Sequence, residues 1–233
     1  MTDKKHIQFH DELNPKLWDG DKLKPEVKIA LSRVSTEFVA FLKIKVVPSD
    51  VIIVGSSVNY NYTDYSDVDL HIVINFGEID DDKEFVKEYF NSKKFIWNSE
   101  HDIKVYGHEI ECYVQDIDEI VKSSAVFSLK QDKWIRKAAP NKPEVDIEAV
   151  KQKVKDFADR IELAKADKDA LTDLKDKLKN MRKSGLETAG EYSTENLAFK
   201  VLRNSGEIGK LIGYARKSYD NQLSLNEWED LLS

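Results

Sequence analysis

Cysteine is all but missing from this chain of 233 residues: Cys112 stands alone, which excludes an intramolecular disulfide framework and any cysteine-rich zinc module. Long hydrophobic runs are missing too. The longest, such as residues 51–54 and 72–74, are far too short to span a bilayer. The start, Met1-Thr2-Asp3-Lys4-Lys5-His6, leads into no apolar stretch of the kind a secretory signal needs. There is no phosphate-loop lysine motif, no glycine-rich dinucleotide fingerprint, no internal repeat and no low-complexity tract. An excess of positive charge is also lacking. Lys and Arg number 36 against 43 Asp and Glu, for a net charge of −7. Residues 1–115 hold 14 cations and 21 acids, while residues 116–233 hold 22 of each. Affinity for nucleic-acid backbone comes largely from Lys and Arg, so generic DNA binding is not expected. The acidic first half suits a site that concentrates divalent cations, although acidic surfaces also serve solubility. The expectation is a soluble, cytoplasmic protein with no membrane partner.

What is present supports a folded core, at 41% hydrophobic residues. Val27, Ala30, Leu31, Val34, Phe38, Phe41 and Leu42 recur at helical spacing behind Pro25. Val51-Ile52-Ile53-Val54 reads as a short buried strand ending at Gly55. After a tyrosine-rich polar segment, residues 67–74 alternate cleanly, which predicts a strand buried on its even-numbered side. Asp80-Asp81-Asp82 precedes a helix whose Phe85, Val86, Tyr89 and Phe90 are expected to face inward. Residues 103–106 and 110–114 read as two strands joined at Gly107. From residue 116 the character turns helical, with one stripe at Val150, Val154, Phe157 and Ile161 and a second at Leu171, Leu174, Leu178 and Met181. A third stripe comprises Leu197, Val201, Leu202, Ile208, Leu211 and Ile212. These patterns predict an α/β (α+β) core over 1–116, a mixed sheet flanked by helices, and an all-helical domain over 117–233, with 140–146 as the linker candidate.

The segment that carries chemistry is Val54-Gly55-Ser56, ten further residues, then Asp67-Val68-Asp69-Leu70. Residues two apart on a strand share a side, so Asp67 and Asp69 project together while Val68, Leu70, Ile72 and Ile74 lock into the core. Adjacent carboxylates repel, and a divalent cation between them relieves that repulsion. Such an oxygen-rich set suits Mg²⁺, which keeps waters and recruits substrate phosphates. Two such ions can stabilise the attacking and leaving oxygens of a phosphoryl displacement. Gly55-Ser56, directly after a strand, lets backbone amides and a hydroxyl approach a phosphate closely. In His108-Glu109-Ile110-Glu111-Cys112-Tyr113-Val114, Glu109 and Glu111 share the side opposite the apolar residues. Glu111 is the expected third ligand, because it sits at the strand centre, whereas Glu109 lies nearer the turn.

These residues resemble the DNA polymerase beta-like nucleotidyltransferase superfamily: a Gly-Ser after a strand, Asp-x-Asp on the next strand and a later strand carboxylate. The resemblance covers roughly residues 25–116. The wider pattern, including Leu13-Asn14-Pro15-Lys16-Leu17-Trp18, Tyr60-Asn61-Tyr62 and Glu195-Asn196-Leu197-Ala198-Phe199-Lys200, looks like nucleotidyltransferases of tailed phages. The resemblance implies host cytoplasm as the location for a phage-encoded protein. It also implies that Gly55 and Ser56, with Ser66 beside the acid pair, hold a nucleoside triphosphate such as ATP. Asp67, Asp69 and Glu111 are then the catalytic and metal-binding residues for two Mg²⁺ ions. The implied activity is transfer of a nucleotidyl group to an acceptor hydroxyl on RNA, a small molecule or a protein, with release of pyrophosphate. The alternative is a non-catalytic nucleotide-binding or antitoxin-like module.

Other residues have plainer readings. His6 and His10 lack a third ligand and a helical pattern, so an exposed pair is expected. His71 shares the side of the acid pair and either touches substrate or packs at the edge. Thr63, Tyr65 and Ser66 either contact ribose or phosphate or shape the loop. Tyr60, Tyr62 and Tyr65 either stack a base or pack against a helix. Gly206-Glu207-Ile208-Gly209 matches an RNA-clamping loop in form, but its acidic interior favours a helix break. Cys112 is expected in the core. The lysines of 175–183 are expected on a solvated helix face, and Lys133 and Arg136 flank Trp134 as a basic pair of interest.

Overall fold

The computed structural model describes residues 6–141 and 143–224. The chain divides into two compact units, one formed by Gln8–Lys142 and the other by Pro143–Ser233 together with Met1–Ile7. The described residues hold six α-helices and a six-stranded mixed sheet, an α/β architecture.

In the α/β unit a small hairpin, β1 (Trp18–Asp19) and β2 (Lys22–Leu23), precedes α1 (Pro25–Leu42). Pro25 opens that helix, where its fixed φ fits and its missing N–H costs nothing. Next come β3 (Asp50–Val54), a 3₁₀ turn at Gly55–Val58, and β4 (Val68–Ile74). α2 (Lys83–Glu100) is capped by Asp82, whose carboxylate accepts the Phe85 N–H. β5 (Lys104–Val105) and β6 (His108–Asp116) form a hairpin through Tyr106 and Gly107, both at positive φ, as a two-residue primed turn requires. β7 (Val126–Ser128) and β8 (Lys133–Arg136) complete the set.

The sheet order is β5-β6-β4-β3-β7-β8, with β4 and β6 parallel and the other neighbours antiparallel. Val68, Leu70, Ile72 and Ile74 of β4, with Ile110, Cys112 and Val114 of β6, pack into one core with α1 and α2. Burying such side chains stabilises by roughly 1.5–3 kcal/mol each. A one-residue slip of β4 would expose all four and drive Asp69 inward, so the register is held tightly. On the opposite side of the sheet Ile52, Val54, Val73 and Val126 form a smaller cluster, with Val121 packed against it. That side also carries Asp69 and Glu111.

Several expectations are corrected here. Two strands beyond residue 116, β7 and β8, extend the sheet, and the division between units falls inside the 140–146 segment instead. α2 buries Val86, Phe90 and Trp97, whereas Phe85 is 62% exposed and Tyr89 37% exposed. Positions 86, 90 and 97 repeat on one line of the helix, and positions 85 and 89 lie about 100° round from it. The Tyr89 hydroxyl instead donates to the Leu42 carbonyl at 3.0 Å.

The helical unit comprises α3 (Ile147–Ala164), α4 (Lys168–Thr188), α5 (Thr194–Asn204) and α6 (Glu207–Leu223). Asp146, Asp167 and Ser193 cap the first three by accepting N–H groups three residues on. The expected third stripe is two helices, because Gly206 adopts φ 83° between α5 and α6, and Ile212 is 53% exposed. Phe157, Ile161, Leu171, Leu174, Leu178, Leu202 and Leu211 form its core. At Gly185 a Cβ would stand 2.5 Å from the Glu195 Cβ, so α4 and the start of α5 meet there with no room for a side chain. Among the described residues, no helix is long and apolar enough to cross a membrane.

Candidate metal centre

The parallel pairing of β4 with β6 sets Asp69 directly opposite Glu111. Asp67 precedes β4 by one residue and shares the parity of Asp69. As a result one carboxylate oxygen from each of Asp67, Asp69 and Glu111 lies within 4.8 Å of the other two. The two aspartates are half-buried and Glu111 is exposed. Glu109, the competing glutamate, lies towards the β5 edge, 3.7 Å from the Lys104 ammonium. The donors are three hard oxygens, the class Mg²⁺ selects. Ligands on opposite sides of one Mg²⁺ stand about 4.2 Å apart, so small side-chain rotations would bring this set within reach of an ion.

The Gly55–Val58 turn abuts the same carboxylates. Val54 pairs with Asp69 across β3 and β4, and Gly55 follows with φ +78°. A Cβ at Gly55 would fall 2.1 Å from Asp69 Oδ2. Glycine is therefore required twice, for its left-handed backbone and for the space the carboxylate occupies. The Gly55 N–H donates to Ser123 Oγ at 3.2 Å. The Ser56 hydroxyl donates to Ser66 Oγ at 2.9 Å, and that oxygen also accepts the Thr63 N–H at 2.9 Å. Ser66 thus stands beside Ser56 and closes the 63–66 turn, to which Thr63 Oγ1 adds a bond from the Tyr65 N–H.

Segments remote in sequence brace this end of the sheet. Ser124 Oγ accepts from Asn59 Nδ2 at 2.6 Å, one residue beyond Ser123. Arg136 donates to the carbonyls of Ser123 and Val121, so this member of the basic pair is committed to holding the 121–124 segment. Trp18 Nε1 donates to the Ser57 carbonyl, and Trp18 packs against Phe127 and Trp134. Tyr60 and Tyr62 are buried, while Tyr65 is 49% exposed. His10 is not the exposed histidine expected of it. It is half-buried, stacks on Tyr62 at 3.8 Å and bonds the Tyr62 carbonyl, and neither it nor His6 lies on a helix.

His71 follows on the same side of β4. Its Nδ1 faces Gln115 Oε1 at 2.8 Å and its ring lies against Tyr113. Burial holds the His71 imidazole below the ordinary histidine value, opposed by the Gln115 hydrogen bond and assisted by the Lys94 charge. Cys112 is fully buried, and burial pushes its thiol up to about 12, as befits a core residue.

Fold and cluster together define a mixed-sheet α/β unit with a three-carboxylate candidate metal centre. No protein-family model and no curated protein sequence matches the chain. Among solved structures, a STING-associated CdnE c-di-GMP synthase from Capnocytophaga granulosa is similar over 86% of this chain and 84% of its own, at 12% identity and a TM-score of 0.25. A likeness of that depth carries no argument about activity.

Proposed function

We propose that the α/β unit is a Mg²⁺-dependent nucleotidyltransferase. The observation that carries this reading is the convergence of Asp67, Asp69 and Glu111 beside the Gly55–Val58 turn. It joins to the motif resemblance at the same residues. Asp67 and Asp69 would hold the metal jointly, and Glu111 would hold it on the exposed, acceptor side. When bound, Mg²⁺ supplies charge neutralisation for the triphosphate and lowers the pKa of the acceptor hydroxyl. The chain's own contribution is positioning and exclusion of competing geometries, the main levers in phosphoryl transfer. Gly55 and Ser56 would seat the triphosphate against the carboxylates. The acceptor oxygen then bonds to the α-phosphorus, the bond to the β-phosphate bridge breaks, pyrophosphate leaves, and the hydroxyl proton passes to water at the Glu111 edge. The acceptor class is RNA, a small molecule or a protein.

A second reading, a nucleotide-binding or antitoxin-like module without turnover, is favoured by one observation. The Gly55 amide and the Ser56 and Ser66 hydroxyls are already engaged within the protein. One experiment separates the two. The full chain is incubated with each α-labelled nucleoside triphosphate and Mg²⁺, with tRNA, total RNA or cell lysate as acceptor. Labelled product and pyrophosphate, both lost in Asp69→Asn and Glu111→Gln, support transfer. Binding of triphosphate with no product from any acceptor supports the module.

A further inference from the structure

Asp69 and Glu111 are placed by the β4–β6 ladder, but Asp67 lies one residue outside β4 and needs another support. The structure supplies one that the motif does not include. His108, the first residue of β6, is 3% exposed. Its Nδ1 stands 2.6 Å from the Ser66 carbonyl oxygen and its Nε2 2.9 Å from Asn14 Nδ2. A carbonyl can only accept, so Nδ1 carries the proton and Nε2 receives the Asn14 amide. Asn14 Oδ1 is taken by the Lys16 N–H at 3.0 Å, which fixes that amide's orientation. The Ser66 carbonyl belongs to the peptide unit that continues into Asp67, so holding its oxygen holds the backbone from which the carboxylate projects.

We infer that His108 is a positioning residue of the carboxylate centre, tying the N-terminal segment, the 63–66 turn and β6 together so that Asp67 meets Asp69 and Glu111. This rests on the reading of Asp67 as a metal ligand. Outer partners of metal ligands are typically worth 10–100-fold in affinity. An asparagine at this position can present its amide nitrogen where Nδ1 stands, whereas leucine cannot.

The test is Mn²⁺ binding to the full chain, followed by water-proton relaxation, with folding checked by circular dichroism. His108→Leu is expected to bind Mn²⁺ about tenfold or more weakly. His108→Asn is expected to stay within about threefold of wild type, since it retains the donor to Ser66. Should His108→Leu fail to fold, His108→Gln, whose longer side chain reaches the Nε2 position and Asn14 but leaves the Ser66 carbonyl without its donor, is expected to weaken binding severalfold while His108→Asn does not. Wild-type affinity in whichever of His108→Leu and His108→Gln folds overturns the inference. Equal loss in His108→Asn and in that variant overturns it also, because packing rather than the donated bond would then matter. No Mn²⁺ binding by wild type at all removes the metal-ligand reading itself, an outcome distinct from the other two.

Discussion

Alanine at Gly55 tests how closely the turn and the metal centre are built together. Gly55 sits at φ +78° and Gly107 at φ +87°, so a Cβ at either position carries a left-handed backbone cost of about 1–2 kcal/mol. Their surroundings differ. A Cβ at Gly107 meets nothing within 4 Å, while at Gly55 it meets Asp69 Oδ2 at 2.1 Å and Asp69 Cγ at 3.2 Å. No non-bonded contact of 2.1 Å between carbon and oxygen is sustainable, so the Asp69 carboxylate must leave the place it now holds beside Asp67 and Glu111. Gly107→Ala should therefore lose about 1–2 kcal/mol in urea unfolding and keep its affinity for Mn²⁺. Gly55→Ala should lose at least as much stability and bind Mn²⁺ roughly 10–100-fold more weakly, as expected when a ligand's support is removed. Wild-type Mn²⁺ affinity in Gly55→Ala would refute the claim that Asp69 is held against this turn.

Three further outcomes are expected. Without metal, Asp69→Asn should raise the unfolding midpoint modestly, because two carboxylates at this range repel by about 1 kcal/mol in a water-like medium; Mg²⁺ should then stabilise wild type and not the variant. The His71 imidazole is held below its ordinary value by burial, so below about pH 6.5 the unfolded chain binds a proton that the folded one refuses. Stability is then full above that pH and falls as the pH drops towards the folded-state value; His71→Asn, which keeps a donor for Gln115, should flatten the fall in urea titrations. Cys112, with its thiol pushed up to about 12, should resist iodoacetamide in the native protein and react only at the rate of unfolding; rapid native alkylation would contradict its placement.

Much of the site was legible because it lies on strands whose period-two pattern is unambiguous. Val68, Leu70, Ile72 and Ile74 declare one side of β4, which leaves Asp67 and Asp69 on the other, and Ile110, Cys112 and Val114 do the same for Glu111. The pairing that joins the two strands is visible only in the fold. β7 is three residues long with every one buried, and β8 is almost wholly exposed, so neither shows the alternation by which a strand is recognised. Their absence from the sequence pattern moved the expected boundary to residue 116. Ser123 and Ser124 reach Gly55 and Asn59 across 68 and 65 residues, a separation that local patterning cannot see. His108 did carry a signal. It shares the parity of Ile110, Cys112 and Val114, and a polar side chain on the apolar side of a strand needs a buried partner. Phe85 and Tyr89 flank the apolar line in sequence and so look inward-facing, although the narrower line of Val86, Phe90 and Trp97 is what α2 buries.

The most direct test of the central claim is a crystal of the full chain grown with Mn²⁺ and measured at a wavelength where manganese scatters anomalously. An anomalous peak in contact with carboxylate oxygens of Asp67, Asp69 and Glu111, absent in Asp69→Asn, is the predicted result. A map with manganese elsewhere, or with the peak unchanged in Asp69→Asn, would contradict it.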